Sequence, residues 1–270
     1  MIKVTDEQII WASNNSKSAA EASRLLGINY KTYKNHAIRL GVFTTNQSGK
    51  GESKNRSRKY NIDDSIFNKI TNVEQAYWLG FIAADGSIVG NSLKFMLKAD
   101  DANHLRKFLD FAKSDYPIGY CNSHYKSKDC TVHYFKACYI KVNSRKIVEN
   151  LNNYGITQNK KYKNINFLNS IPDKFKMSFL CGLFDGDGSV GVYNGKPVIT
   201  ISINKATSYS IQNLLNTVGI NYNVQNRDNI DVIYIQSMHS INTFYNFYRT
   251  SINLDRKRDS IARIIEDYHK

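Results

Sequence analysis

The sequence predicts an α+β protein made of two pseudo-symmetric αββαββα repeats and a small N-terminal helical domain. Three observations lead there. An apolar segment ending in Asp-Gly-Ser occurs twice, as Trp78 to Ser87 and as Leu180 to Ser189. The same order of helices and strands returns after each copy. Residues 5 to 43 carry a separate helical pattern ahead of both.

In the N-terminal unit, assigned to residues 1–43, Ala19, Ala22, Leu25 and Leu26 line one face of a helix and Gly27 supplies a turn with Ile28 packed beneath it. Tyr30 to Leu40 then reads as the recognition helix of a helix-turn-helix, presenting Lys31, Thr32, Lys34, Asn35 and Arg39 to DNA until Gly41 stops it. A helical hairpin that only packs on the main domain has the same pattern. Residues 44–71 are a basic linker and lead-in. From Thr44 to Tyr60 there is no apolar periodicity, and Lys50, Lys54, Arg56, Arg58 and Lys59 stand against Glu52 alone.

Each repeat opens on its apolar segment. Nearly every residue from Tyr77 to Ala84 is apolar, so a helix here needs packing on all sides and belongs at the centre of the molecule. Aligned without a gap, the copies match Gly80 to Gly182, Asp85 to Asp187, Gly86 to Gly188 and Ser87 to Ser189. Gly80 and Gly182 let two backbones approach, which makes the helices partners for each other. Gly86 and Gly188 are expected to close the helices in a left-handed conformation, which puts Asp85 and Asp187 at the helix ends. A carboxylate at a helix C-terminus meets the negative end of the macrodipole, and two such ends repel. A cation is therefore required, and a small set of carboxylate oxygens suits Mg²⁺.

These residues resemble the LAGLIDADG homing endonuclease family in its single-chain, two-repeat form, over roughly Asn72 to the C-terminus. The resemblance implies a saddle of antiparallel sheets over a long, pseudo-palindromic site in double-stranded DNA. It implies hydrolysis of both strands with Mg²⁺ or Mn²⁺, leaving 3′ extensions, and a role in intron homing. The last acid of each motif binds the ions in that family, which maps to Asp85 and Asp187, with the backbone carbonyls of Ala84 and Gly186 completing the coordination. The family's earlier acidic position is Ala83 in the first copy and Asp185 in the second. Basic or amide side chains around the scissile phosphates map to Lys98 and Lys141 in the first repeat and to Asn204 and Gln236 in the second, with Lys205 as a substitute. The alternatives are a non-cleaving DNA-binding regulator or an RNA-splicing maturase on the same scaffold.

Repeat 1 spans residues 72–157. After Asp85 come a strand near Leu93 to Lys98, a helix from Asp100 to Lys113, strands over Ile118 to Lys126 and Thr131 to Val142, and a helix near Ser144 to Tyr154. Lys94, Asn122, His124 and Lys126 are the DNA-facing candidates. Residues 158–175 join the repeats, with Pro172 just before the second motif helix. Repeat 2 spans 176–252, with a strand over Val198 to Asn204, a helix from Ala206 to Val218, strands over Ile220 to Arg227 and Ile230 to Ser237, and a helix near Ser240 to Tyr248. Ile199, Ile201 and Ile203 face one way and Thr200 and Ser202 the other. Thr200, Ser202 and Arg227 are its DNA-facing candidates, and a polar, basic sheet face suits the major groove. Residues 253–270 form a closing helix with Ile261, Ile264 and Ile265 inward.

Composition agrees with a polyanionic partner. Lys plus Arg number 37 against 23 Asp plus Glu, a net charge of +14, which favours nucleic acid through counterion release. No apolar run approaches the roughly 20 residues a bilayer requires, so the chain reads as soluble and intracellular, with no membrane partner, and the resemblance to the single-chain form implies a monomer. The four cysteines form no CxxC pair. Cys121, His124, Cys130 and His133 imitate zinc-ligand spacing, but an extended strand points Cys121 and His124 to opposite faces.

Overall fold

The computed structural model describes residues 4–43, 59–127, 129–158 and 167–268. The chain divides into two compact units, Met1–Lys59 and Tyr60–Lys270. The predicted linker from 44 to 58 and residues 159–166 between the repeats lie outside the described residues.

The described residues of the first unit form three short helices, α1 (Asp6–Asn14), α2 (Ala19–Leu25) and α3 (Tyr30–Arg39). Thr5 starts α1 with a capping box shared with Gln8, and Ser18 and Asn29 cap the other two. Each cap satisfies amides that a helix start leaves without intrahelical partners. Ile9, Ala12, Ala19, Ala22, Tyr33 and Ala37 form the core. Leu25 departs from expectation at 51% exposure, and Ser23 is buried instead. Ala19, Ala22 and Ser23 follow the i, i+3, i+4 stripe, whereas Leu25 lies beyond its edge.

The second unit contains both repeats. The first runs α4 (Val73–Asp85), β1 (Ser87–Val89), β2 (Ser92–Lys98), a 3₁₀ turn (Ala99–Asp101), α5 (Ala102–Phe111), β3 (Gly119–Lys126), β4 (Val132–Asn143) and α6 (Arg145–Asn153). The second runs α7 (Asp173–Asp187), β5 (Gly188–Tyr193), β6 (Lys196–Asn204), α8 (Lys205–Thr217), β7 (Asn223–Asn226), β8 (Ile230–Ile235) and α9 (Met238–Arg249), followed by α10 (Asp255–Tyr268). Two antiparallel four-stranded sheets result, ordered β1-β2-β4-β3 and β5-β6-β8-β7. This is the predicted α+β arrangement.

The sequence reading did not locate β1 and β5. A signal was present for the second: Asn194-Gly195 takes positive φ at both residues and turns β5 into β6, the commonest two-residue hairpin turn. β7 is shorter than expected because Ile220 enters the core directly after α8, its amide bonded to the Leu215 carbonyl at 3.0 Å.

Tyr77 to Ala84 is buried throughout, as an all-apolar helix requires. Trp78 packs edge-on to Phe81 and Phe108, and Phe184 edge-on to Phe244 and Tyr248. The lead-in to α4 is folded rather than a tether: Ile66, Phe67 and Ile70 are buried. Pro172 is the N-cap residue of α7.

Candidate functional site

α4 and α7 lie in backbone contact, and glycine makes it possible. A Cβ on Gly80 would meet the Phe179 carbonyl oxygen at 2.0 Å, and one on Gly182 would meet that of Tyr77 at 1.9 Å. Tyr77 and Phe179 are themselves equivalent in the alignment of the two segments, so the contact obeys a local two-fold. At the C-terminal ends, a Cβ on Gly186 would lie 2.2 Å from Ala84 Cβ and 3.2 Å from the Asp85 amide nitrogen. The last turns of both helices therefore meet, and Asp85 and Asp187 leave from that junction. Asp85 is half-buried and Asp187 exposed.

Gly86 and Gly188 serve differently from the expectation. Both are extended, with φ −67° and −102°, because the chain runs straight into a strand instead of turning back. Glycine is needed there for space: a Cβ would meet the Ile82 carbonyl at 2.5 Å in one case and Phe184 Cδ2 at 2.2 Å in the other.

The cation that two helix C-termini require has a partial counterpart in the fold, which sequence reasoning missed. Lys257 of α10 is 6% exposed. Its Nζ donates to the carbonyls of Phe184, Asp185 and Gly188 at 2.7, 2.8 and 2.7 Å, and lies 4.8 Å from the Phe184 ring centroid. Burial pushes its pKa down to about 8, against the pull of the Asp185, Asp85 and Asp187 carboxylates. One ammonium thus feels both motif acids. A signal existed, since Lys257 stands four residues before the buried Ile261 on the inward stripe of α10.

Asp185, the second repeat's earlier acid, is buried at 1% exposure. It accepts from Tyr77 and Tyr248 hydroxyls at 2.5 Å each and from the Leu254 amide at 2.9 Å. Burial raises its pKa to about 6 despite these bonds. The Tyr77 oxygen, having donated to Asp185, accepts from His104 Nε2 at 3.0 Å, and burial depresses the histidine to about 3. The aligned position in the other half holds Ala83 and Phe179 in place of Asp185 and Tyr77. A cavity of about 300 Å³ opens there, lined by Ala83, Phe179, Asp187, Ser202 and Asn204 among others.

Strand register sorts the remaining candidates. Lys94 pairs with both Ser87 and Lys141, and Lys98 with Ala137, so Lys94, Lys98 and Lys141 share the face opposite Leu93, Phe95 and Leu97. Asn122, His124 and Lys126 pair with Lys136, Tyr134 and Val132, in line with Cys138 and Ile140. They therefore belong to the other face, and one basic surface does not hold all six. Tyr125, His133 and Phe135 are what the hairpin adds to the face of Lys94, with Tyr125 stacked on His133 at 4.9 Å. Cys121 and His124 diverge for the same reason.

In the second sheet Ser189, Thr200, Ser202 and Tyr234 share a face, and Ser189 Oγ lies 2.6 Å from Thr200 Oγ1. Arg227 donates to Gln225 and the Tyr234 hydroxyl at 3.1 and 3.5 Å, on that same face. The Asn204 side-chain oxygen accepts from the Ala206 amide at 2.9 Å and caps α8, while Gln236 accepts from Asn223 at 3.3 Å. Both amides thus carry structural bonds. On α3 of the first unit, Lys31, Thr32, Lys34, Asn35 and Arg39 are all exposed, with Arg39 paired to Asp6.

Among the described residues no three His, Cys, Asp or Glu side chains converge on one point. The donor set at the helix junction is two carboxylates with neighbouring carbonyls, which fits a hard cation that keeps several of its waters, as Mg²⁺ does. No helix among the described residues is long and apolar enough to cross a membrane.

Residues 174–250 match the family model of the LAGLIDADG-like domain. The chain is similar in structure to the homing endonuclease I-WcaI bound to its DNA recognition sequence, with 17% identity, 72% of this chain and 87% of that chain covered, and a TM-score of 0.51. It is also similar to the meganuclease I-SmaMI bound to uncleaveable DNA, with 14% identity, coverage of 73% and 88%, and a TM-score of 0.47. A third likeness is to the N-terminal LAGLIDADG domain of DUF199/WhiA, with 18% identity, coverage of 69% and 89%, and a TM-score of 0.39. No curated protein matches the chain. At these identities the first likeness establishes the fold and nothing finer.

Proposed function

We propose that the chain is a two-repeat LAGLIDADG protein, and that it is a site-specific double-strand DNA endonuclease working with a divalent ion; the family match over residues 174–250 and the fold support this reading. The meeting of the two motif helix ends carries this reading, since Gly186 against the Asp85 backbone brings both acids to one junction. Asp85 and Asp187 hold the ions, with carbonyls of Ala84 and Gly186 beside them. Bound Mg²⁺ or Mn²⁺ supplies an activated water and charge stabilisation at the leaving oxygen. Lys94, Lys98 and Lys141 provide cations on one sheet face of the first repeat. The second repeat offers Thr200, Ser202 and Arg227, with Asn204 and Gln236 restricted by the bonds they already make. The first repeat offers lysines and the second amides at these positions, so the two strands are expected to be cut at unequal rates.

Both acids come from one chain, which supports a monomer acting on duplex DNA, and the same reading carries a role in mobility of the element that encodes the protein. The N-terminal unit adds contacts through the exposed residues of α3. That surface also favours a second reading, a DNA-binding regulator that does not cut. A plasmid-nicking assay with Mg²⁺ separates the two, and retention of intron RNA would point to a maturase. The deciding variant is Asp187→Asn. Duplex binding is expected to persist while cleavage disappears, and undiminished cleavage would refute the assignment.

A further inference from the structure

Resting on that reading, we propose that Lys257 is a resident counter-cation of the junction, a positioning residue that keeps the site assembled before any divalent ion binds. Asp85 and Asp187 leave from the meeting C-terminal ends of α4 and α7, and the buried Asp185 stands two residues before Asp187 in the last turn of α7. Without a cation this arrangement is repulsive, by the helix dipoles and by like charge. The Lys257 ammonium is the buried cation at that place. Its three donor hydrogens are used on Phe184, Asp185 and Gly188 carbonyls, all at the end of α7. Its stem comes from α10, outside both repeats.

α10 is itself anchored to the first repeat. Arg256 Nε donates to both oxygens of the buried Asp101 carboxylate at 3.1 and 3.0 Å, and Lys107 of α5 donates to Asp255 at 3.0 Å. Asp101 follows β2 and Lys107 lies on α5, while the Lys257 bonds go to α7. The closing helix therefore ties the two halves together across the junction and delivers one fixed charge to it.

A fixed charge and a simple helix cap predict opposite responses to a divalent ion. If Lys257 only caps α7, replacing it loosens the site and weakens ion binding or leaves it unchanged. If it balances charge, replacing it leaves an excess of negative potential that an added ion relieves, so the ion binds more tightly. The test measures thermal unfolding of the full chain, without DNA, in EDTA and in increasing Mg²⁺ or Mn²⁺, for the natural protein, Lys257→Met, Lys257→Gln and Lys257→Arg. Glutamine retains hydrogen bonds to carbonyls without charge, and arginine retains charge.

Met and Gln variants are expected to melt lower than the natural protein in EDTA and to recover more of that loss on adding the ion. Their ion affinity is expected to be about three- to tenfold tighter, the size of one partly screened charge. The Arg variant is expected to respond as the natural protein does. An equal ion response in all four, or variants that fold in neither condition, would make Lys257 a structural cap and overturn the proposal. The nuclease reading fails separately, if the natural protein shows no ion response that Asp187→Asn removes.

Discussion

His104 and Asp185 show how burial, as the largest influence on each, sets opposing pH responses in one network. The histidine is held neutral, with its pKa moved from 6.5 to about 3. Between these values only the unfolded chain takes up the proton, so this contribution is present above pH 6.5 and is lost as pH falls. Asp185 is moved from 3.8 to about 6. It stays protonated in the fold while the unfolded chain ionises, so its contribution is present below 3.8 and is lost as pH rises through 6. At pH 5 the two oppose each other. His104→Gln, which retains a donor for Tyr77, removes one of them. Relative to the natural protein, the variant is expected to gain about 2 kcal/mol at pH 5 compared with pH 7.5, measured by denaturant unfolding at both. The same difference at both pH values would show that His104 does not carry the acid sensitivity. None of this network was legible in the sequence beyond the acid itself. Tyr77, His104 and Tyr248 are far apart along the chain, and nothing local marks them as partners.

At the scale of the element, the helix pair is the rigid part on which the site depends. Gly80→Ala and Gly182→Ala would each drive a methyl to about 2 Å from a backbone carbonyl of the facing helix. Backbone yields less readily than a side chain, so the helices must separate. The expected loss, visible as a lowered melting temperature, is about 3 kcal/mol for either variant, the upper end of what overpacking costs, because the obstacle is backbone. A fall of under about 1 kcal/mol would mean that the helices are not held this close. Similar losses for both are expected from the local two-fold. The helices themselves were legible, because a run of apolar residues with an aligned twin has few other readings. The strands that follow them directly, β1 and β5, were not. They are short or Gly-rich, and only the Asn194-Gly195 turn betrays the second.

For the whole molecule, each of the two units has its own core, so residues 60–270 are expected to fold without the N-terminal unit. If α3 contacts DNA, that shortened chain is expected to bind duplex DNA more weakly than the full chain. Unchanged affinity in a gel-shift titration would confine recognition to the repeats. Binding by the full chain, with its net +14, is expected to weaken by about 10³-fold between 50 and 200 mM salt if roughly six phosphates are contacted. A flat salt response would contradict a phosphate-led interface. The sequence by itself determined the duplication, the two buried helices, their acidic tips and the α+β order, because those properties repeat at fixed local spacing. Only the tertiary structure decided that Asn122, His124 and Lys126 lie on the opposite face from Lys94, and that a lysine from α10 is buried against the carbonyls at the end of α7. Strand register and the return of a distant helix bring together residues separated along the chain, and local periodicity carries no information about either.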